Sequence, residues 1–487
     1  MDMLTPLDAE LESSDFDLTE TQVLALRGRE QISQLSWFEI DLVMRNGAEL
    51  PAAVGPGVSL SLVLRFTRDG VATARKIHGI LEWIRDRRDT LHEQSSYTLR
   101  LVPELSRLLL AETQDLFVNQ TVPAIIEAKL GLHDLDGQRL TMSATGYTAR
   151  ELVVQYRESD LAFVSRLAEH LGISFVFEHG DEAPERVIFT DDVVNAGLTT
   201  DQLEIPYRPA GQLFGAFAVV VEKQMVPTSY IAQDYNYRNP NADIVGKAML
   251  GTEAAPLGNG GGVIEYGTHQ LDQTEGNAIA TVRKQERESR QEVFSVESTF
   301  AELSAGSLVK LSGFSVTADP ELLIVSIEHN ATFGPDSGAG YKNSFRAVPK
   351  TVHYRPPRST PRPRIHGLVT GTVSLGTATA AGGAAQIDDE GRYLVQFHLD
   401  PDHERAGPAS HAIRMAQMFA GPTHGIHFPL RPGSEVVLSF LDGDPDRPII
   451  VGSVPNKVNR STTTSANSNK NRLHSTAGVL IEFGEGK

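Results

Sequence analysis

The chain contains no cysteine, which excludes disulfide staples, thiolate metal sites and cysteine nucleophiles. Stability must therefore come from packing or from association. No stretch approaches the roughly 20 continuous apolar residues that a membrane-spanning helix requires. Basic residues are missing from the start: MDMLTPLDAELESSDFDLTE holds seven acids, and no Lys or Arg precedes Arg27, the reverse of a signal-peptide opening. This predicts synthesis in the cytosol without use of the general secretory route. Positive charge is scarce overall, with 44 Lys and Arg against 62 Asp and Glu for a net −18, which argues against sequence-independent nucleic-acid binding. Catalytic signatures are missing too. There is no H-E-x-x-H, no G-x-S-x-G, no P-loop and no complete dinucleotide fingerprint. The glycine run GNGGGV at 258–263 follows no apolar strand and opens no evident helix, so it reads as a loop.

What is present suits a large, turn-rich protein. A length of 487 residues and a mass of 53.0 kDa leave room for two to four domains, and 42 glycines with 26 prolines point to β structure. The fold class expected is mainly β with some α. Apolar residues recur at every second position in TQVLALRG, WFEIDLVM and VSLSLVLRF, which predicts half-buried antiparallel strands. The period lengthens in SDLAFVSRLAEHLG, where Ser159 can cap, Leu161, Val164, Leu167, Ala168 and Leu171 make one stripe, and Gly172 stops the helix. Strand alternation returns in ISFVFEH. VPAIIEAKLG reads as a short helix, and residues 274–291 as a longer exposed one with Glu286 placed to pair with Arg290. EVFSVES and SLVKLSGF follow as strands.

The expected domains are an acidic N-terminal segment (1–19), a first region of strands and helices (20–350), a Pro/Arg-rich linker (351–366), a small β-barrel of the OB kind (367–458) and a tail (459–487). Four prolines in YRPPRSTPRPR make the linker extended and semi-rigid, a spacer rather than a ligand for an SH3-type module. The barrel is read from GLVTGTV, GRYLVQFHL, HAIRMAQ, SEVVLSFL and PIIVGSV. In the second of these, Tyr393, Val395, Phe397 and Leu399 share a face. The tail is polar through STTTSANSNKNR and ends in a single strand, STAGVLIEFGEGK, that needs partners to bury its apolar face.

Candidate sites are few. His424 and His427, with His398, His403 and His411, lie among prolines and glycines without the spacing of a zinc site, so no metal and no cofactor are expected. Paired carboxylates of a glycosidase arise by chance among 62 acids. A single-strand nucleic-acid barrel is disfavoured, because residues 367–460 carry seven Lys or Arg against ten Asp or Glu. The loop LDGDPDRP alternates Asp442, Asp444 and Asp446, but Pro448 and an apolar run stand where a calcium loop needs further ligands. With Gly443, Pro445 and Arg447 it reads as a rigid hairpin corner.

That corner in context, RPGSEVVLSFLDGDPDRPIIVGSVPN, resembles the VgrG spike family of type VI secretion systems, which shares its architecture with phage tail hubs and spikes. IRMAQMFAGPTHGIHFPLRPG and VQYRESDLAFVSRLAEHLGISFVFEH resemble further family segments in the same order, and the likeness covers most of residues 20–487. Gly443, Asp444, Pro445, Asp446, Arg447 and Pro448 form the family motif. The family's P-x-L-W run is altered here, with Ser106 in place of tryptophan. The resemblance implies a phage-hub-like β-barrel region, an OB-like barrel and the start of a triple-stranded β-helix. It implies a structural, non-enzymatic homotrimer at the tip of a contractile injection apparatus. The implied partners are a hexameric tube protein, baseplate proteins, a PAAR-like tip protein and effectors, with the target membrane met mechanically and no nucleic acid. It also implies assembly in the cytoplasm and ejection on contraction. A spike of a phage-tail-like or extracellular particle is the close alternative; an OB-type binding module and a spike-borne hydrolase are more distant ones.

Overall fold

The computed structural model describes residues 7–45, 48–68, 71–88, 95–180, 184–196, 202–209, 214–250, 261–315, 318–333, 340–374, 387–401 and 409–484. His403 and the first half of GNGGGV lie outside these residues. Contacts divide the chain into two units. The first comprises Met1–Ala111, Ile126–Gly146 and Asp160–Pro361; the second comprises Glu112–Ile125, Tyr147–Ser159 and Arg362–Lys487. The boundary at Pro361 and Arg362 falls inside the Pro/Arg-rich segment. Two short stretches that sequence placed in the first region belong instead to the second unit.

The chain begins with β1 (Asp8–Glu12), β2 (Thr21–Gln31), β3 (Trp37–Met44), β4 (Ser59–Arg68), β5 (Val71–Arg87) and β6 (Ser96–Val102). The period-two pattern is carried through as buried and half-buried residues in strict alternation along β3, with Phe38, Ile40, Leu42 and Met44 inward. There follow β7 (Glu112–Gln120), α1 (Val122–Gly131), β8 (Leu140–Met142), β9 (Arg150–Ser159), α2 (Asp160–Leu171), β10 (Ser174–Glu178) and β11 (Arg186–Thr190). In α2 the residues Phe163, Val164, Leu167, Ala168 and Leu171 are buried. Gly172 ends it at φ +72°, where a Cβ would lie 2.5 Å from Val282 Cγ1. Next come β12 (Leu203–Pro206), β13 (Ala216–Lys223), β14 (Ser229–Asp234), β15 (Ile244–Met249), β16 (Gly262–Tyr266), α3 (Gln273–Glu288), β17 (Glu292–Ser298), β18 (Leu308–Ser312), β19 (Glu321–Thr332) and β20 (Gly340–Pro349).

Helix α3 corrects one expectation. Its Glu286 pairs with Arg290 at 2.6 Å as the spacing suggested, but the helix is not solvated all round. Ile279 and Ala280 pack on Tyr230 and Ala232 of the small sheet β15-β14-β16, and Arg283 is wholly buried. Two glycines let backbone meet backbone here: a Cβ on Gly246 would sit 1.9 Å from the carbonyl carbon of Gly276.

Among the described residues, twelve strands of the first unit form one sheet, ordered β1-β4-β5-β6-β3-β2-β19-β20-β17-β13, with β18 joining β19 and β12 joining β18. This sheet holds the same five-strand module twice. β4-β5-β6-β3-β2 repeats as β18-β19-β20-β17-β13, and the registers superpose residue for residue. Ser59 faces Ile80 as Leu308 faces Leu323. Leu81 faces Leu101 just before a bulge at Glu82, as Ile324 faces Ala347 just before a bulge at Val325. Phe38 opposes Leu101 as Phe294 opposes Ala347. A second bulge separates Val23 from Ala25 on β2 and Ala216 from Ala218 on β13. Even the entry to β4 is copied: Gly57 at φ 87° donates to Leu81 O, and Gly306 at φ 92° donates to Ile324 O. Each module has its own apolar cluster.

Inside the chain the two modules meet where β2 lies antiparallel to β19, Gln31 facing Ser326 and Ala25 facing Thr332. A buried polar chain crosses that seam. Glu30 accepts from Arg75 and from His329 Nε2 (2.8 Å), and His329 Nδ1 meets the Tyr341 hydroxyl at 2.6 Å. Arg75 also donates to the carbonyl of Leu303 at 2.7 Å, and Asn343 to that of Phe300 at 2.6 Å. Burial alone would raise the Glu30 pKa, but Arg75 and His329 outweigh it and hold the carboxyl well below its ordinary range. Burial keeps His329 below its usual 6.5 despite the attraction of Glu30.

In the second unit β21 (Val369–Val373), β22 (Val395–Phe397), β23 (Glu435–Phe440) and β24 (Pro448–Ser453) make a four-stranded sheet ordered β22-β21-β23-β24. Tyr393, Val395 and Phe397 are fully buried on one face, as the alternation indicates. HAIRMAQ is not a strand; it makes only single bridges, Ile413 to Tyr393 and Met415 to Ile450. The ribbon β7·β9 adds Leu116, Leu152 and Val154 to the same core. The tail is a further correction: β25 (Lys470–His474) and β26 (Leu480–Gly484) pair as an antiparallel hairpin, so the terminal strand has one partner within its own chain.

Two measurements test this account. Gly57→Ala forces a side chain into the left-handed region and is expected to lower unfolding free energy by about 1–2 kcal/mol, while Gly55→Ala, at an open position, is expected to be near neutral in the same urea titration. For pH, the unfolded chain protonates His329 first, because its folded pKa is depressed; stability is therefore full above 6.5 and lost as pH falls below it. Glu30, also depressed, adds to the loss only below its unfolded value of 4.5. The urea midpoint is expected to drop between about pH 7 and pH 5, and His329→Gln to flatten that drop.

Candidate functional site

The acidic corner lies between β23 and β24. It turns through Leu441–Gly443, with Asp442 at φ 55° and Gly443 at φ 73°, and a Cβ on Gly443 would press on Arg364 Cβ at 3.4 Å. Backbone bonds close it: Asp444 donates to Leu441 O (3.0 Å), Arg447 to Asp444 O (2.9 Å) and Leu441 to Arg447 O (3.0 Å). Pro445 and Pro448 are buried.

The carboxylates of Asp444 and Asp446 have cationic and backbone partners. Asp446 accepts the Val154 backbone N–H from β9 at 2.7 Å and pairs with Arg362 at 3.0 Å. Arg362 also reaches Asp444 at 3.1 Å, and Arg447 lies 3.7 Å from the other Asp444 oxygen. Arg364 donates to Asp442 O at 3.0 Å, and the Ile365 N–H to Gly443 O at 2.8 Å. The corner is thus a clamp that joins the end of the Pro/Arg-rich segment, the β9 ribbon and the sheet around one core. Arg362, Arg364 and Val154 escaped sequence reading. The only signal for the arginines was their spacing among prolines, which favoured a spacer.

Among the described residues, the candidate histidines His398, His424 and His427 take separate partners. His398 is held by Thr370 (2.8 Å) and Thr372 (2.9 Å), His427 by the Tyr393 hydroxyl (2.8 Å) and Gln417 (2.9 Å), and His424 stacks on Phe419 at 4.9 Å. Within the first unit, Glu169 of α2 grips the other end of the Pro/Arg-rich segment, accepting from Ser359 and Thr360 backbone and hydroxyl groups at 2.9–3.0 Å.

The tail hairpin presents an apolar surface. Leu473, Val479, Leu480, Ile481 and Phe483 are all exposed, Phe483 by 62%. No helix among the described residues is long and apolar enough to cross a membrane.

The fold is thus a doubled five-strand module with a separate small β unit, and relatives of known class share it. A family model for the phage tail baseplate hub (GPD) matches residues 29–335, and one for a domain of unknown function matches 381–454. The chain belongs to the phage tail baseplate hub (GPD) family. It is homologous to VgrG spike proteins: it is 29% identical to type VI secretion system spike protein VgrG5 of Pseudomonas aeruginosa over 90% of this chain and 56% of that one. Identity to VgrG1c of the same organism is 30% over 89% and 60%. The actin cross-linking toxin VgrG1 of Vibrio cholerae is 27% identical over 79% of this chain and 35% of the toxin. The chain thus spans little more than half the length of VgrG5 and VgrG1c. Among solved structures, an Escherichia coli component of the type VI secretion system, described as similar to the bacteriophage T4 tail proteins gp27 and gp5, shares the fold at TM-score 0.62 and 23% identity over 93% and 98% of the two chains. A chain of a Francisella PdpA–VgrG complex does so at 0.63 and 8% over 99% and 75%.

Asp446→Ala removes the acceptor for Val154 and leaves Arg362 without its better partner. Because Arg362 is partly exposed, the expected loss is about 1–3 kcal/mol, read as a lower melting temperature. Asp442→Gly, at an exposed left-handed position, is expected to be tolerated or slightly stabilising.

Proposed function

We propose that this chain is the structural hub and spike of a contractile injection apparatus of the type VI secretion kind, working as a homotrimer and without enzymatic activity. The hub region (20–350) would sit on a hexameric tube protein among baseplate proteins. The linker (351–366) would lead to an OB-like barrel (367–458), in which the Gly443–Pro448 corner serves as the structural lock. Residues 459–487 would open a triple-stranded β-helix bearing a PAAR-like tip and effectors. On this reading the protein assembles in the cytoplasm and is driven outward through a target membrane by contraction. A phage-tail-like or extracellular particle would use the same parts.

The observation that carries the reading is the tail. A two-stranded ribbon is marginal alone in water, yet one face of this ribbon exposes Leu473, Ile481 and Phe483 together. Two further copies around a common axis would cover that face and pair the open edges of both strands.

Size-exclusion chromatography with light scattering tests it. The expected mass is near three times 53.0 kDa, and a monomer at micromolar concentration would overturn the reading. The double change Ile481→Asp and Phe483→Asp is expected to weaken the assembly while leaving the far-ultraviolet circular dichroism of the rest in place. An unchanged trimer would show that the tail contributes little.

A further inference from the structure

Where β2, β19, β20 and β17 meet the end of α3 and residues 354–357, the first unit forms a cleft of about 430 Å³. Its apolar lining is Val293, Val325 and Val348. The rest is cationic, in a chain whose net charge is −18. Arg29, Arg290, Arg346 and Arg355 line the cleft against one lining acid, Glu328. Counting also Glu286, which pairs with Arg290 at 2.6 Å, four positive charges less two negative leave an excess of two.

The fold does not consume that excess. Among the described residues Arg346 has no hydrogen-bond or ionic partner, and Arg29 has only the Gln31 side-chain oxygen at 2.9 Å. Arg355 is tied down, donating to the carbonyls of Gly172 (2.9 Å) and Asp191 (2.7 Å), and supplies charge from the wall. The open donors lie side by side. Ser326 of β19 stands directly opposite Arg346 of β20, and Arg29 of β2 lies one pleat further along, opposite Glu328. Opposed side chains leave the sheet about 5 Å apart, so the Ser326 hydroxyl and the Arg346 guanidinium can reach one acceptor. Tyr354 adds a third donor. A buried tyrosine hydroxyl usually finds a partner, yet among the described residues this one makes no hydrogen bond. Its ring packs on the cluster that holds Val348, and burial pushes its pKa up, which keeps the hydroxyl protonated. The negative end of the α3 dipole would oppose an anion here. Its last carbonyls are already taken, Gln285 O, Arg287 O and Glu288 O accepting from Ser289, Arg290 and Gln291 N–H at 3.0 Å.

We infer that this cleft binds a small phosphate monoester carried on an apolar or aromatic body, with Arg346, Ser326 and Tyr354 donating to the phosphate and the valines receiving the body. A guanidinium fork matches phosphate oxygens in pairs, and a phosphate near two negative charges balances the excess as a single carboxylate does not. Glu328 repels the phosphate from its own end of the cleft and so confines it to the Arg346 end. The volume falls in the range of small-molecule sites and excludes a folded partner.

Titration calorimetry on the full-length protein at fixed ionic strength tests this. Phenyl phosphate is expected to bind once per chain. It should bind more tightly than inorganic phosphate, which lacks the body, and than benzoate, which lacks the second charge. Arg346→Gln, at an exposed position, is expected to weaken phenyl phosphate roughly tenfold or more, and Tyr354→Phe to weaken it less, both with unchanged far-ultraviolet circular dichroism. Arg27→Gln removes a cation from the same face of β2 that lines the neighbouring cleft instead, and is expected to leave the affinity unchanged. The inference is overturned if phenyl phosphate does not bind at millimolar concentration, or if inorganic phosphate or benzoate binds as tightly. It is equally overturned if Arg346→Gln binds as the parent does, or if Arg27→Gln weakens binding as much as Arg346→Gln, the mark of general attraction to a basic surface.

Discussion

The structure of the first unit is governed by the unpaired N–H and C=O groups at the margin of a β-sheet. A sheet that stops must leave such groups to water or hand them to another strand. Here the sequence repeats one five-strand module, and the second copy supplies what the first lacks: β19 takes up β2, and the Glu30, Arg75, His329 and Tyr341 chain fastens the join from within. Buried charge is costly by itself, so its presence at this seam marks a contact that must form in one register or not at all. Among the described residues, β13 and the end of β5 each keep one unpaired margin.

The second unit is organised by different means. Its sheet is short, four strands among the described residues, and a core of this size gains from added layers. The chain recruits them from far away in sequence: Leu116, Leu152 and Val154 arrive on a ribbon spliced out of the first unit's run, and Ile365 arrives on the Pro/Arg-rich segment. Asp446 is where these meet. Its two oxygens face a backbone N–H from one side and Arg362 from the other, so this carboxylate holds elements in place. The histidines nearby follow the same logic and fasten loops to strands.

Much of the fold was legible from period alone. WFEIDLVM became β3, and EVFSVES became β17, because alternation over seven or eight residues leaves few other ways to bury one face. The corner LDGDPDRP was legible as a corner because proline, glycine and aspartate each restrict the turn. What stayed hidden depended on distance. Nothing in VVQYRES announces that Val154 will bind Asp446 nearly three hundred positions away, and the modules share register and bulges with little likeness in their residues. Helix α3 looked solvated because Arg283 and Glu286 are charged. They are buried as a pair, with Arg283 also donating to the His170 carbonyl at 2.9 Å and its pKa pushed down to about 10 by that burial. The terminal strand looked solitary because its partner, KNRLH, is polar and carries no alternation signal.

The seam within the chain is written in side chains as well as in backbone bonds: Arg29 of β2 stands opposite Glu328 of β19. A slip of one residue would set Arg29 before Ile327 or His329 and turn Glu30 to the other face of the sheet, away from Arg75 and His329. The buried polar chain therefore works as a phase lock, fixing how far the two modules slide past each other.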